Sequence, residues 1–195
     1  MNVVLIKYNA GNIQSVLYAL DRIGISATVT DDHELIRSAD KVIFPGVGEA
    51  RSAMESLQEN RLDRVIKELQ QPVLGICVGM QLLCLHSEER DTTGIGIFDV
   101  QVKRFPSIAS LKVPQIGWNN IYGLKSPLFN GMKENSYIYN VHSYYAELSP
   151  WTIATADYGL EYSAALHRDN FYGVQFHTEK SAEVGEQVLK NFFSI

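Results

Sequence analysis

A chain of 195 residues, 46% of them hydrophobic, can remove on the order of 70% of its unfolded surface from water, so it needs neither disulfides nor a structural metal to fold. Seventeen Lys and Arg against 22 Asp and Glu leave a net charge of −5. The basic residues are scattered, which argues against a phosphate-neutralising nucleic-acid surface. Two cysteines, Cys77 and Cys84, are too few for a disulfide framework or a four-thiol zinc site.

Taken in chain order, Val3 to Ile6 is an apolar run cut short by Lys7, too brief for a signal peptide. Ile13, Val16, Leu17 and Leu20 follow at helical spacing, residues 27–30 and 42–44 read as strands, and 61–69 as a charged helix. Residues 72–76 form a short run typical of a strand covered on both faces. This rhythm predicts a parallel sheet flanked by helices. From about Thr92 the pattern becomes closely spaced and β-rich, at 98–105, 136–141, 151–156, 162–166 and 171–176. Gly131, Pro150, Gly159 and Asp169-Asn170 punctuate these runs, so hairpins or mixed sheet should join the core. Residues 183–193 return to helical spacing. The expected fold class is therefore α/β: a mostly parallel central sheet with flanking helices plus a β-rich second half. No repeat, linker or membrane-length apolar run appears, so one domain over 1–195 in a soluble, cytoplasmic protein is expected.

The sharpest local pattern is Gly75-Ile76-Cys77-Val78-Gly79-Met80-Gln81, a cysteine set between glycines at the end of an apolar strand and before the helical run Met80, Leu82, Leu83. Such a bracket permits a tight strand-to-helix turn that holds the side chain out of the sheet as a nucleophile, with backbone N–H groups facing the same space. The same glycines also suit close packing around a small buried residue. Cys84, among leucines further along, reads as core.

A thiol nucleophile needs a base. His33 lies in an acidic turn, His86 at a polar helix end, and His167 beside Arg168-Asp169-Asn170; exposed positions account for all three. His177 follows an apolar strand in Gln175-Phe176-His177-Thr178-Glu179-Lys180. If extended geometry persists, positions i and i+2 share a face, so Glu179 can orient the His177 imidazole while Thr178 points away. An exposed ion pair or two metal ligands would read the same way. Phe44-Pro45-Gly46-Val47-Gly48-Glu49 is a glycine-bracketed loop leaving the third strand, able to offer N–H groups to an oxyanion or simply to turn. It lacks the Lys-Ser/Thr of a phosphate-binding P-loop.

Pro45-Gly46-Val47-Gly48, the cysteine bracket, and Gln175-Phe176-His177-Thr178-Glu179, in that order, resemble the class I (triad-type) glutamine amidotransferases. Further strings resemble the glutaminase subunits of imidazole glycerol phosphate synthase. These are Tyr8 with Gly11-Asn12, 113–119 around Trp118, 139–145 around His142, and Glu179-Lys180-Ser181. Together they cover nearly the whole chain. The resemblance implies that Cys77 attacks the side-chain amide of glutamine, His177 moves the proton and Glu179 orients His177. It implies an oxyanion site at Val47, Gly48 and the N–H of Val78, and substrate contacts from Gly48, Gln81, Glu89, His142, Ser143 and Tyr144. It further implies a heterodimer with a (β/α)₈-barrel cyclase subunit, contacted by Asn12, Trp118, Tyr139 and Lys180, and neither metal nor cofactor. A paralogous glutaminase feeding an amino-sugar or other synthase is the alternative. Two positions depart from the family pattern: Thr178 stands where proline is usual, and Gln115, placed at the partner surface, where many members have histidine.

Overall fold

The computed structural model describes residues 1–9, 12–107 and 111–195; Gly11, part of one matched string, lies outside the described residues. The first half runs β1 (Val3–Ile6), α1 (Ile13–Arg22), β2 (Thr28–Thr30), α2 (His33–Arg37), β3 (Lys41–Phe44), α3 (Ala50–Glu59), α4 (Leu62–Glu68), β4 (Val73–Ile76) and α5 (Val78–Leu83). The second half adds β5 (Cys84–Ser87), β6 (Thr92–Thr93), β7 (Phe98–Arg104), β8 (Gln115–Ile121), β9 (Ser136–His142), β10 (Tyr144–Ala146), β11 (Thr152–Asp157), β12 (Glu161–Arg168), β13 (Phe171–Val174) and α6 (Ala182–Ser194).

Strands β1, β3, β4 and β13 are buried at every position, as parallel strands covered on both faces must be. They pair in parallel in the order β2-β1-β3-β4-β13. Beyond β13 the sheet continues antiparallel through β12, β10 and β7; β5 then pairs parallel with β7, and β6 antiparallel with β5. Strands β8 and β9 form a separate antiparallel ribbon. The helices cover the parallel half by apolar stripes, such as Val16, Ala19 and Leu20 of α1, each large side chain contributing about 1.5–3 kcal/mol on full burial. Helix α2 starts where the Asp32 carboxylate accepts the N–H groups of Glu34 and Leu35 at 2.9 and 3.0 Å, a cap that contributes about 1 kcal/mol.

Cys84 is buried core, as expected, and opens β5, since α5 ends at Leu83. Two local expectations are corrected. His86 lies on β5, not at a helix end, its ring 2.8 Å from Asp91. Strand β13 stops at Val174, and Thr178–Lys180 is a 3₁₀ turn instead of extended chain. Among the described residues no helix is long and apolar enough to cross a membrane.

The carboxyl ends of β3, β4 and β13 stand side by side. They lead into the Pro45-Gly46-Val47-Gly48 loop, into Cys77, and into Gln175-Phe176-His177. The topology thus gathers three separate sequence patterns at one end of the sheet, where parallel α/β sheets place their ligands.

Candidate active site

Cys77 joins β4 to α5 with φ 53° and ψ −112°, a conformation costly for a residue with a side chain and seen mostly where function demands it. The turn is held shut by close packing. A Cβ on Gly79 would lie 2.1 Å from the carbonyl oxygen of Phe44, so only glycine lets α5 approach the end of β3. The Cys77 N–H donates to Val174 O at 2.8 Å, tying the turn to β13.

His177 is buried, and its Nδ1 lies 2.7 Å from Glu179 Oε1. The pair forms as expected, but through the 3₁₀ turn. Thr178 is buried within that turn, its Oγ1 without a partner among the described residues. Burial by itself would pull the His177 imidazole down, but its hydrogen bonds to Cys77 and Glu179, and their charges, raise it to about 10. Burial opposes the charged form of Glu179, yet the hydrogen bond and charge of His177, aided by the Asn12 amide, hold that carboxylate below its ordinary range. Asn12 Nδ2 donates to Glu179 Oε1. Asn12, expected at a partner surface, therefore touches the back of the pair. The N–H of His177 donates to Tyr139 O at 3.0 Å, and the Ser181 hydroxyl donates to His177 O at 2.6 Å.

Opposite Cys77, the N–H of Val78 donates to Gly46 O at 3.3 Å. The Tyr8 hydroxyl donates to Pro45 O at 2.6 Å, and Gly48 takes φ +96°, a backbone region that favours glycine.

A cavity of about 330 Å³ opens over these groups. Its walls include Val47, Gly48, Cys77, Val78, His177 and, at the mouth, Lys180. Gln81, Glu89, His142, Ser143 and Tyr144 complete the expected set. Glu89 accepts the Ala50 N–H at 2.7 Å, and burial shifts its carboxyl upward. Burial likewise lowers His142 to about 4, only partly offset by its hydrogen bond to Tyr144 O, so this imidazole is neutral near pH 7. A neutral ring, a carboxylate and backbone amides suit the two charged ends of an α-amino acid.

Trp118 is 55% exposed and meets Tyr139 edge to face across the β8–β9 ribbon, ring centroids 5.6 Å apart. Gln115 faces the other way: it is buried, and its Oε1 accepts the Tyr162 hydroxyl at 3.1 Å, which removes it from the outer surface on which it was placed. Tyr8, Pro114, Val141 and Gln175 also border the site. All four fall within the strings that carry the resemblance, but none is given a role in the site there. Among the described residues no group of three or more His, Cys, Asp or Glu is placed to hold a metal ion.

The family described as "Glutamine amidotransferase class-I" matches residues 4–195. "Imidazole glycerol phosphate synthase subunit HisH" of Bacteroides fragilis is 57% identical over 196 residues, covering 100% of both chains. The protein of that name from Bacteroides thetaiotaomicron is 54% identical at the same coverage, and that of Shewanella loihica 44% identical over 98% of this chain and 90% of its own. Among solved structures, one titled "Crystal structure of glutamine amidotransferase" superposes with TM-score 0.77 at 15% identity, over 100% of this chain and 98% of that one. "Structure of PurLQS from Thermotoga maritima" gives 0.70 at 16% identity, over 99% and 97%.

Proposed function

The chain belongs to the class I glutamine amidotransferase family, and we propose that it is the glutaminase subunit of imidazole glycerol phosphate synthase, working with a (β/α)₈-barrel cyclase in the cytoplasm. The observation that carries the chemistry is that one cavity brings together Cys77 and His177, the latter backed by Glu179, and beside them groups of both kinds that an amino acid's charged ends require.

In this reading glutamine enters with its α-ammonium toward Glu89 and its side-chain amide over Cys77. The Cys77 sulfur attacks the amide carbon, and backbone N–H groups at Val78 and in the Val47–Gly48 loop receive the oxygen's charge. Imidazolium at His177 gives its proton to the departing nitrogen, which leaves as ammonia while a thioester remains on Cys77. Neutral His177 then takes a proton from water as it attacks the thioester; glutamate leaves and the thiol side is restored. Glu179, steadied by Asn12, holds the ring throughout.

Free ammonia is protonated in water, so its acceptor must be close. The outer face of the β8–β9 ribbon offers Ile116, Trp118 and Tyr137, each at least 55% exposed. That face runs through Val141 to the cavity mouth at Lys180. Exposed aromatic residues beside an active site fit a docking surface. On the cyclase, ammonia joins a phosphoribulosyl aminoimidazole-carboxamide nucleotide to give imidazole glycerol phosphate and aminoimidazole-carboxamide ribonucleotide. Mixing the chain with a cyclase subunit and following co-elution and glutamine-dependent imidazole glycerol phosphate formation tests the assignment. Trp118→Ala should weaken the complex without unfolding the chain. Glutamate release with no complex and no imidazole product would remove the histidine-pathway role and leave only the glutaminase.

A further inference from the structure

Beyond His177, the side chain of Gln175 reaches the nucleophile. Strands β4 and β13 run parallel with Ile76 opposite Val174, and the chain stays paired one step further through the Cys77 N–H bond to Val174 O. Gln175 is therefore level with Cys77. It is completely buried, and its Nε2 lies 3.7 Å from Cys77 Sγ. Its Oε1 accepts from Gln81 Nε2 at 2.9 Å, and that same Gln81 nitrogen donates to Tyr144 O at 3.1 Å.

This chain of contacts can be polarised in only one direction. A backbone carbonyl accepts and cannot donate, so Tyr144 O fixes the NH₂ end of Gln81 toward itself. Gln81 then presents a donor to Gln175, which must answer with its oxygen. A flipped Gln175 would set two NH₂ groups against each other and leave one hydrogen of each without an acceptor at a buried position. The NH₂ of Gln175 is thus forced toward sulfur.

We infer that Gln175 is a positioning residue for the nucleophile: held by Gln81, its amide donates an N–H to Cys77 Sγ and fixes the sulfur with one lone pair free for attack. The inference deepens the glutaminase reading and rests on it for the meaning of turnover. Other polar groups facing Cys77 are His177, Tyr8 at the end of β1, and across the cavity His142, Glu89 and Lys180. Gln175 carries no charge, so its contribution is directional. Gln81 has spent both hydrogens and offers substrate only an acceptor, which suits an ammonium group.

The test uses Gln175→Met, which keeps shape without the donor, and Gln175→Glu, which keeps an acceptor for Gln81. Alkylation of Cys77 by iodoacetamide is timed at one fixed pH on the free chain, with the labelled thiol located by mass spectrometry. Glutamate release is measured on the complex with the cyclase. Both variants should slow alkylation about tenfold and lower kcat by about as much, since a directional hydrogen bond to the attacking sulfur is lost. KM for glutamine should stay within about twofold. Melting curves identify folded variants; if Gln175→Met does not fold, Gln175→Glu decides, and Gln81→Met, which frees the Gln175 amide to rotate, should slow alkylation in the same direction. Alkylation unchanged in the folded variants overturns the inference, whatever happens to kcat. If the parent complex releases no glutamate, the glutaminase reading fails, while the alkylation rates still decide whether Gln175 holds the sulfur.

Discussion

The carbonyl oxygen of Gly46 accepts the backbone N–H of Val78 at 3.3 Å, so the peptide between Gly46 and Val47 turns its carbonyl, not its N–H, toward the start of α5. Of the two donors proposed for the oxyanion, one is therefore occupied and the other faces away. A lost donor costs about 10²- to 10³-fold in turnover, so the free chain should hydrolyse glutamine slowly. Docking of the cyclase with its nucleotide substrate should raise kcat by about that factor, as the peptide rotates and releases the Val78 N–H. Steady-state glutamate release is compared for the chain alone, with cyclase, and with cyclase plus nucleotide. Equal turnover in all three, with complex formation verified, would show that the loop is not gated.

Glu179 sits between His177 and Asn12, which sets an order of effects. His177→Ala should remove nearly all turnover, Glu179→Gln less, because a neutral amide still accepts a hydrogen bond. Asn12→Asp should lower kcat about tenfold more than Asn12→Ala, since it sets a second carboxylate against Glu179. Turnover indifferent to both Asn12 changes would mean that the Asn12 contact does not support the pair.

Thr178 opens the 3₁₀ turn after His177 and buries a hydroxyl that has no partner among the described residues. Proline fits the first position of such a turn and takes away the orphaned group. Thr178→Pro should therefore stabilise the chain by about 1 kcal/mol in denaturant melts and leave kcat within about twofold. A collapse of either would show that the turn needs the threonine backbone freedom.

The imidazole of His142 is held down by burial to about 4, against about 6.5 unfolded. Between those values the unfolded chain binds the extra proton and the folded chain does not. Stability is complete above about pH 6.5 and falls as pH drops toward 4, by an amount on the order of 3 kcal/mol. His142→Asn should flatten that part of the stability–pH curve measured by urea unfolding; an unchanged slope would assign the loss to other groups.

The legibility of this site in the sequence differs from element to element. Val3–Ile6, Val73–Ile76 and the cysteine bracket are legible because fully buried parallel strands leave unbroken apolar runs and a tight turn leaves glycines. Helix α3 carries Ala50, Ala53, Met54 and Leu57 at helical spacing, but two alanines make a faint stripe. Strand β8 hides because its outer face keeps Ile116 and Trp118 exposed, so inside and outside do not alternate in polarity. The His177–Glu179 pair is legible as residues and not as geometry: two positions apart, they meet in a strand or in a turn. The contact of Asn12 with Glu179, and the link of Gln81 to Gln175, span 167 and 94 positions; only the packed fold brings them together.

The most direct measurement is glutamate release by Cys77→Ala in complex with the cyclase. The loss should be on the order of a thousandfold or more, with melting temperature and complex formation retained, because a small side chain is removed and the elbow backbone stays. Cys84→Ala, deep in the core beside Leu83, should keep its kcat and lose stability. Near-parental turnover by Cys77→Ala, or a comparable catalytic loss in Cys84→Ala, would contradict the assignment of Cys77 as the nucleophile.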